Sequence, residues 1–552
     1  MPRIWLQITA IIAITIAVYM NAPQGQFMNI DDNLLVYNNP KVQELNLANL
    51  KEIFTTFDPE LYIPFTLLSY QLEYHFAGEN PSVFHATNVV LHLLNALLVF
   101  ALIRFFSKKW FVPFTAAVLF AIHPINTETV MWISARKDLL STFFFLGSLV
   151  MYCRFKTLGT RHSLYGSLGL FVCALMSKII AVSLPLVLLL IDDMLPSKEH
   201  ADSKLHLWAF GIPALLFLGV GMMGKKLTIF VLGYFESILL ACKGVYFYFA
   251  KILIPTDLSL AYEQITPIEL LQQDFLFPVL ILIAVAVIAI ASRAFGKTFS
   301  FCMMWFALTL LPNLGNAVKG IEGSIYFASD RYVYIPSIGI FFAVACGVAW
   351  LLEESSQKKQ VAISIATIFV IGTYGLMARN YSIEWLNPKR YHERTVKIYP
   401  ESLLPRVLLG MSYVREEKNE EALPHFQKAV ERKPNYANPL AHLGLTLVKI
   451  GEVDRGIAAL EEALEMNATH SYSHVYLSYA YILKDNRAKS RELLDTALAK
   501  KPENPKILQM YGVLEHGIGN LEEAENYYRR SLSFDPTSIQ AKAALAKVLR
   551  DK

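Results

Sequence analysis

The sequence predicts an all-α protein in two parts, a polytopic membrane bundle followed by a water-soluble array of helical repeats. Three observations carry this. The 552-residue chain has a mean hydropathy of +0.38, with 54% hydrophobic and only 17% charged residues, which is too apolar for a soluble protein and too long for one domain. Uninterrupted apolar runs recur from Ile4 to Met377 and then stop. Beyond them the chain turns rich in Glu, Lys, Arg, Ala and Leu and repeats itself at a fixed interval.

A helix needs roughly 17 to 25 mostly apolar residues to cross the hydrocarbon core. Segments of that kind begin near Ile4, Phe84, Trp110, Leu139, Leu164, Ile179, His206, Phe275, Phe299, Tyr332 and Val361, giving about eleven crossings. The first has only Arg3 before it and no small-residue cleavage pattern after it, so it reads as a retained anchor. Lys108 and Lys109, then Arg154, Lys156 and Arg161, then Lys198 and Lys204, then Arg293 and Lys297, then Lys358 and Lys359 fall in alternate loops. Positive loops stay in the cytoplasm, and so does the N-terminus. The stretches Asn21 to Pro81, His123 to Asp138, Gly224 to Gln273, Asn313 to Asp330 and all that follows Arg379 are then expected on the other face. Ser237 to Pro255 is apolar, but it carries Lys243 and Lys251, and a crossing there would invert every later loop; it reads as an interfacial amphipathic helix.

The net charge is +4 and no Lys/Arg stripe marks the soluble part, so nucleic acid is not an expected partner. The five cysteines lie in or beside apolar runs without Cys-x-x-Cys spacing, which indicates neither a disulfide framework nor a zinc site.

The repeat period is 34 residues: Gly410, Gly444, Ser478 and Gly512 correspond, as do Ala422, Gly456, Ser490 and Ala524, then Ala429, Ala463, Ala497 and Ser531, then Pro434, Ala468, Pro502 and Pro536. This is the tetratricopeptide interval. Small residues let two antiparallel helices approach, and large ones such as Tyr413 and Phe426 fill between them. About four repeats and a capping helix from Ser538 to Lys552 are expected to form a short superhelix for an extended peptide; a scaffold or dimer contact is the alternative.

Several ionisable residues stand out. Asp31 and Asp32 follow the first crossing on the side assigned to the repeats. Adjacent acids are ordinarily a solvated turn or a helix cap; functionally, one carboxylate can take a proton from a hydroxyl while the other orients it or holds a divalent cation. The loop from His123 through Glu128 and Trp132 to Arg136, Lys137 and Asp138 crowds charges between two crossings. It reads either as interface anchoring, with Trp132 in the aromatic belt and Arg136 and Lys137 snorkelling, or as substrate contact. Lys178 separates two apolar runs with almost no loop, where a cation needs an anionic partner such as a lipid-linked phosphate. Asp330 and Arg331 precede another crossing, with a salt bridge between them as the plain reading. Asp192 and Asp193 end a helix on the cytoplasmic side and read as solvated.

In order along the chain, Asp31-Asp32, Leu68-Ser69-Tyr70, Phe84-His85 with Asn88 and His92, the His123 to Asp138 loop, Ser177-Lys178 with Leu184-Pro185, Pro312-Asn313, Arg331-Tyr332 with Ile335-Pro336-Ser337, and Arg379-Asn380 with Trp385 resemble one family over nearly the whole chain. These are the GT-C-fold protein O-mannosyltransferases that carry tetratricopeptide repeats, known in animals as transmembrane and tetratricopeptide repeat containing proteins, with many bacterial relatives. Asp330 stands where a Glu is more common, and Ile179 where the family usually has an acid, so no role of that acid carries over.

The resemblance implies a GT-C-like membrane domain over 1–380, a linker over 381–401 and the repeat domain over 402–552. It implies inverting transfer of mannose or another hexose from a polyprenyl phosphate to Ser or Thr hydroxyls of a protein. One of Asp31 and Asp32, by analogy the first, is the general base, and Arg136, Lys178 and Arg331 neutralise the lipid phosphate, with His123, Glu128, Asp138 and Asp330 as further site candidates. Asp31, Asp32 and Glu128 offer oxygen ligands for a divalent cation (Mg or Mn), though no spacing demands one. The expected setting is a bacterial inner membrane with periplasmic repeats. Two other readings stay open: a lipid-linked-sugar transferase acting on a glycan or lipid, and a non-catalytic scaffold for envelope or pilus assembly.

Overall fold

The computed structural model describes residues 2–28, 30–58, 60–195, 205–224, 232–292, 296–314, 320–321, 324–535 and 538–552. Lys198, Lys204 and Arg293, used above for orientation, and Pro536 of the repeat period lie outside the described residues. The chain divides into two compact units, 1–36 with 41–387, and 37–40 with 388–552.

In the first unit every apolar run named above is helical: Pro2–Tyr19, Pro81–Phe106, Phe111–Ile122, Arg136–Leu158, Arg161–Ser177, Leu184–Met194, Leu205–Gly224, Gln273–Ser292, Lys297–Leu314, Ser337–Glu353 and Gln357–Glu384. Among the described residues, five helical stretches are long and apolar enough to cross a membrane by themselves, and Phe111–Ile122, Gln273–Ile288 and Ser337–Glu353 are shorter apolar ones. With so little hydrophobic drive between helices in lipid, polar contacts and close approaches set the packing. Ser148 and Ser167 each donate to the other's carbonyl at 2.8 Å, clamping Arg136–Leu158 onto Arg161–Ser177. Gly339 lets Ser337–Glu353 reach Lys297–Leu314, since a Cβ there would stand 2.6 Å from the Cys302 carbonyl. Buried His92 bridges the Tyr334 hydroxyl at 2.7 Å and the Ala121 carbonyl at 2.9 Å, while Asn95 Nδ2 donates to Leu139 O at 3.0 Å. These contacts tie Pro81–Phe106 to three other segments directly beneath the 123–138 loop.

The 21–81 stretch is folded, with helices Leu47–Thr55 and Pro64–Ala77 and a π-helical turn at Asn33–Tyr37. Leu35, Val36, Ile53, Leu67 and Phe84 close a small core with Ile133, which fixes the acidic pair against the second loop. Asp192 is not solvated: it accepts from Tyr152 Oη at 2.8 Å and pairs with Lys156 at 3.0 Å. The expected amphipathic segment is the helix Tyr234–Leu253, burying Leu240, Gly244, Tyr248 and Ile252 at i, i+4 spacing. A three-stranded antiparallel sheet, absent from the sequence reading, runs β1 (Tyr262–Gln264), β3 (Ser324–Ala328), β2 (Gly320–Ile321), with Tyr262 opposite Ala328. Strands this short carry too few alternations to register as a period.

The stretch 381–401 is largely helical, holding the end of Gln357–Glu384 and all of Pro388–Ile398. The second unit then counts out its period in helix starts: Leu403, Ala437, Ser471, Pro505 and Ile539. Each repeat pairs two helices, Leu403–Arg415 with Asn419–Arg432, Ala437–Lys449 with Val453–Met466, Ser471–Leu483 with Arg487–Lys500, and Pro505–Gly517 with Leu521–Phe534, before the last helix Ile539–Asp551. The small residues sit where helices cross. A Cβ on Gly444 would meet Leu460 Cγ at 2.6 Å and one on Gly512 the Tyr528 ring. In the third repeat Ser478 and Ser490 occupy these positions and bond each other at 2.7 Å.

Candidate active site

Asp31 and Asp32 immediately precede the π-helical turn Asn33–Tyr37, and the Asp31 carbonyl accepts from Leu34 and Leu35 at 3.0 and 2.9 Å. Their side chains part. Asp32 is 0% exposed; its Oδ2 accepts from Met28 N at 2.7 Å, and its Oδ1 from Ser134 N at 2.9 Å and from the Ser134 hydroxyl. Burial pushes its carboxyl above the usual range, opposed by the Ser134 and Met28 donors. Asp32 is thus a staple between the 21–36 and 132–135 segments, with both oxygens in use. Asp31 keeps 40% of its side chain exposed and lies 3.4 Å from Lys137 Nζ.

Three cations gather around two aromatic rings. Lys137 Nζ lies 5.6 Å from the centroid of Trp132, and the Arg331 guanidinium lies 4.8 Å from that same centroid. Arg331 is also 4.8 Å from the Tyr332 centroid, and Lys178 Nζ is 5.8 Å from it. Lys178 donates to Asp138 Oδ1 at 2.5 Å, so the anionic partner it requires is supplied within the protein. Asp138 Oδ2 is buried without a hydrogen-bond partner among the described residues. Arg331 donates to Glu128 Oε1 at 2.6 Å and to Ser329 Oγ at 2.5 Å, and its backbone N–H reaches Glu128 Oε2 at 3.2 Å. Its Nε is buried and has no partner among the described residues, while 16% of the side chain is exposed.

Several expectations change here. Asp330 and Arg331 do not pair with each other: Asp330 Oδ1 accepts from Tyr262 at 2.7 Å, and burial, reinforced by Glu128, drives its carboxyl well above the usual range. Arg136 is fully buried and spends every nitrogen inside the protein, on Asn88 at 2.9 Å, on the Phe84 carbonyl at 2.8 Å and on Glu73. It presents no free face to a phosphate. Neither Trp132 nor Arg136 is an interface anchor, since both are buried. His123 holds a corner, with Nε2 2.8 Å from the Ile252 carbonyl and Nδ1 accepting from Ile125 N at 3.2 Å. Ile179 leans on the helix Leu205–Gly224, where a Cβ on Gly221 would meet its Cδ1 at 2.1 Å. An aliphatic side chain here seals a helix contact.

Glu73 did not stand out in the sequence, while Lys137 and Tyr332 entered it only as part of the charged loop and of the Arg331-Tyr332 motif. Glu73 carried a signal, as the one acid in the helix Pro64–Ala77. The three acids considered for a cation do not form an oxygen cage: Asp32 and Glu128 already accept from protein donors through both oxygens, and Asp31 faces Lys137. This set does not fit a divalent ion.

Known proteins align with both parts. The tetratricopeptide repeat family matches residues 407–471, 442–505 and 481–548, so the C-terminal part is an array of these repeats. The chain is 31% identical over 207 residues to the mouse protein O-mannosyl-transferase TMTC1, covering 34% of this chain and 22% of that protein. It is 22% identical to human TMTC1 over 77% of this chain and 55% of that protein, and 23% identical to Drosophila melanogaster Tmtc3 over 87% and 58%. The chain spans little more than half the length of these last two relatives. A thermophilic tetratricopeptide repeat protein of Thermus thermophilus aligns at 21% identity and a TM-score of 0.28, over 33% of this chain and 95% of that one. The family resemblance read from the sequence holds in these comparisons, and the apolar helices make this a membrane protein.

Proposed function

We propose that this protein is a membrane glycosyltransferase that moves mannose or another hexose from a polyprenyl phosphate to Ser or Thr hydroxyls of a protein, with inversion at the sugar. The observation that carries the reading is the half-open Asp31 carboxylate beside a cluster of three cations, Lys137, Lys178 and Arg331, in a chain similar to named protein O-mannosyl-transferases. Asp31 Oδ accepts the proton of the acceptor hydroxyl as the hydroxyl oxygen bonds to the sugar C1. The bond from C1 to the phosphate oxygen breaks on the opposite face, and its electron pair stays with the phosphate. Phosphate leaves without protonation, so the site needs cations where charge develops and no general acid. Lys178 and Arg331 fill that role, each on a ring face and neutralised at rest by its own acid.

The positive loops support a cytoplasmic N-terminus, with the site and the repeats on the opposite face of a bacterial inner membrane. The repeats would bind the acceptor protein. Mass spectrometry of periplasmic and surface proteins from the source organism tests this with wild type, Asp31→Asn and a deletion. Loss of a hexose on Ser or Thr peptides in both altered strains, at equal membrane abundance of the variant, is the expected result. Unchanged glycopeptides would sink the reading.

A further inference from the structure

Lys178 and Arg331 each have a close acid of their own, Asp138 at 2.5 Å and Glu128 at 2.6 Å, whereas Lys137 has Asp31 at 3.4 Å. That third pair is the longest and the most open. Its two members differ in freedom: the Lys137 side chain is 7% exposed, lies against Trp132 and springs from the first turn of Arg136–Leu158, while Asp31 is 40% exposed. The cation is the enclosed member of the pair and the carboxylate the exposed one.

We propose that Lys137 is a counter-charge shared in turn by Asp31 and the donor phosphate, passing from one to the other as the proton moves. This rests on the transfer reading above. A sugar linked to a polyprenyl phosphate carries one negative charge on its phosphodiester. When the acceptor oxygen bonds to C1 and the C1–O bond to phosphate breaks, the phosphate gains a second charge. In the same step the Asp31 carboxylate takes the hydroxyl proton and so loses its negative charge. One negative charge therefore leaves the carboxylate and one appears on the phosphate, with no change in the site's total. A cation placed between them stays paired throughout, and no charge is stranded in a poorly solvated site. Lys178 and Arg331, already held by Asp138 and Glu128, cannot compensate the loss at Asp31 in this way. Lys137 is thus a positioning residue for the base before transfer and a phosphate ligand after it.

The test uses the full chain in phosphatidylcholine nanodiscs and polyprenyl phosphate, the dianionic product, as the probe. Asp31→Asn imitates the protonated carboxyl and frees Lys137, so product affinity is expected to rise by about tenfold, the scale of one partly buried charge pair. In the Lys137→Met background the same Asp31→Asn change is expected to give no gain, and Lys137→Arg is expected to keep it. The coupling in this cycle is a readout that a merely structural lysine would not move. A gain that persists without Lys137, no gain at all, or no measurable binding by wild type would each overturn the proposal. Inorganic phosphate run in parallel separates sources: coupling with the lipid alone points to a lipid-borne phosphate, coupling with both to phosphate recognition as such, and either supports the shared charge. Sugar transfer by wild type is scored separately. Its absence with the coupling intact overturns the transfer reading and leaves Lys137 as a phosphate contact for which Asp31 competes.

Discussion

Arg331 and Glu128 lie 203 residues apart in sequence and meet at 2.6 Å, Glu128 fully buried and also bonded to the Arg331 backbone N–H and the Ser329 hydroxyl. The pair locks the 123–138 loop to the turn before Ser337–Glu353. Glu128→Gln leaves a mostly buried guanidinium without its counter-charge, at a cost of about 3 kcal/mol. Thermal unfolding in detergent should show a lower midpoint, with Glu128→Asp intermediate; an unchanged midpoint in Glu128→Gln would mean the pair adds nothing to the fold.

The two adjacent acids should separate cleanly. Asp31→Asn is expected to lower the turnover by about 100-fold or more, the contribution of a positioned base, at unchanged stability. Asp32→Ala strands the Met28 N–H and both Ser134 donors and should cost about 3 kcal/mol, seen as low abundance and a depressed melting midpoint. Turnover and melting of both purified variants decide this, and a stable but inactive Asp32→Ala would reverse the assignment.

Gly444→Val in the second repeat forces a side chain against Leu460 and the Gly456 carbonyl, which a Cβ would meet at 2.6 and 3.0 Å. We expect a loss of about 3 kcal/mol from overpacking, read as faster hydrogen exchange across Ala437–Met466. Gly517→Ala, with nothing within 4 Å of the added carbon, should leave exchange unchanged.

His442 stacks on Phe426 at 5.5 Å and touches Tyr472 and Tyr476, and burial, aided by Lys506, His470 and Arg415, lowers its pKa from 6.5 to about 3. Because the unfolded chain takes up a proton below pH 6.5 that the folded repeats exclude, stability present above that pH falls as pH drops toward 3. The slope for this one group reaches about 1.4 kcal/mol per pH unit. His442→Gln should flatten part of the acid dependence of hydrogen exchange in the second repeat. An identical pH profile would show that His442 takes no part.

Much of the architecture was legible because it is written in local pattern. Apolar runs of membrane length became helices, and the interval linking Gly410, Gly444, Ser478 and Gly512 reappears as helix starts 34 residues apart, from Leu403 to Ile539. The strand Ser324–Ala328 was not legible, since its pairing with Tyr262–Gln264 joins segments more than sixty residues apart in a stretch too short to show alternation. Glu73 escaped notice for a similar reason: nothing near it in sequence points to Arg136.

By itself, the sequence determined the helical class, the break between membrane bundle and repeats, and the set of charged residues from which a site could be built. Those follow from hydropathy and periodicity, which neighbouring residues carry together. Only the tertiary structure decided which of two adjacent aspartates is open, that Lys178 answers to Asp138 and Arg331 to Glu128, and that Arg136 is wholly engaged. Such choices depend on partners tens or hundreds of residues away and on which oxygens are already taken, and no window along the chain contains both ends of those bonds.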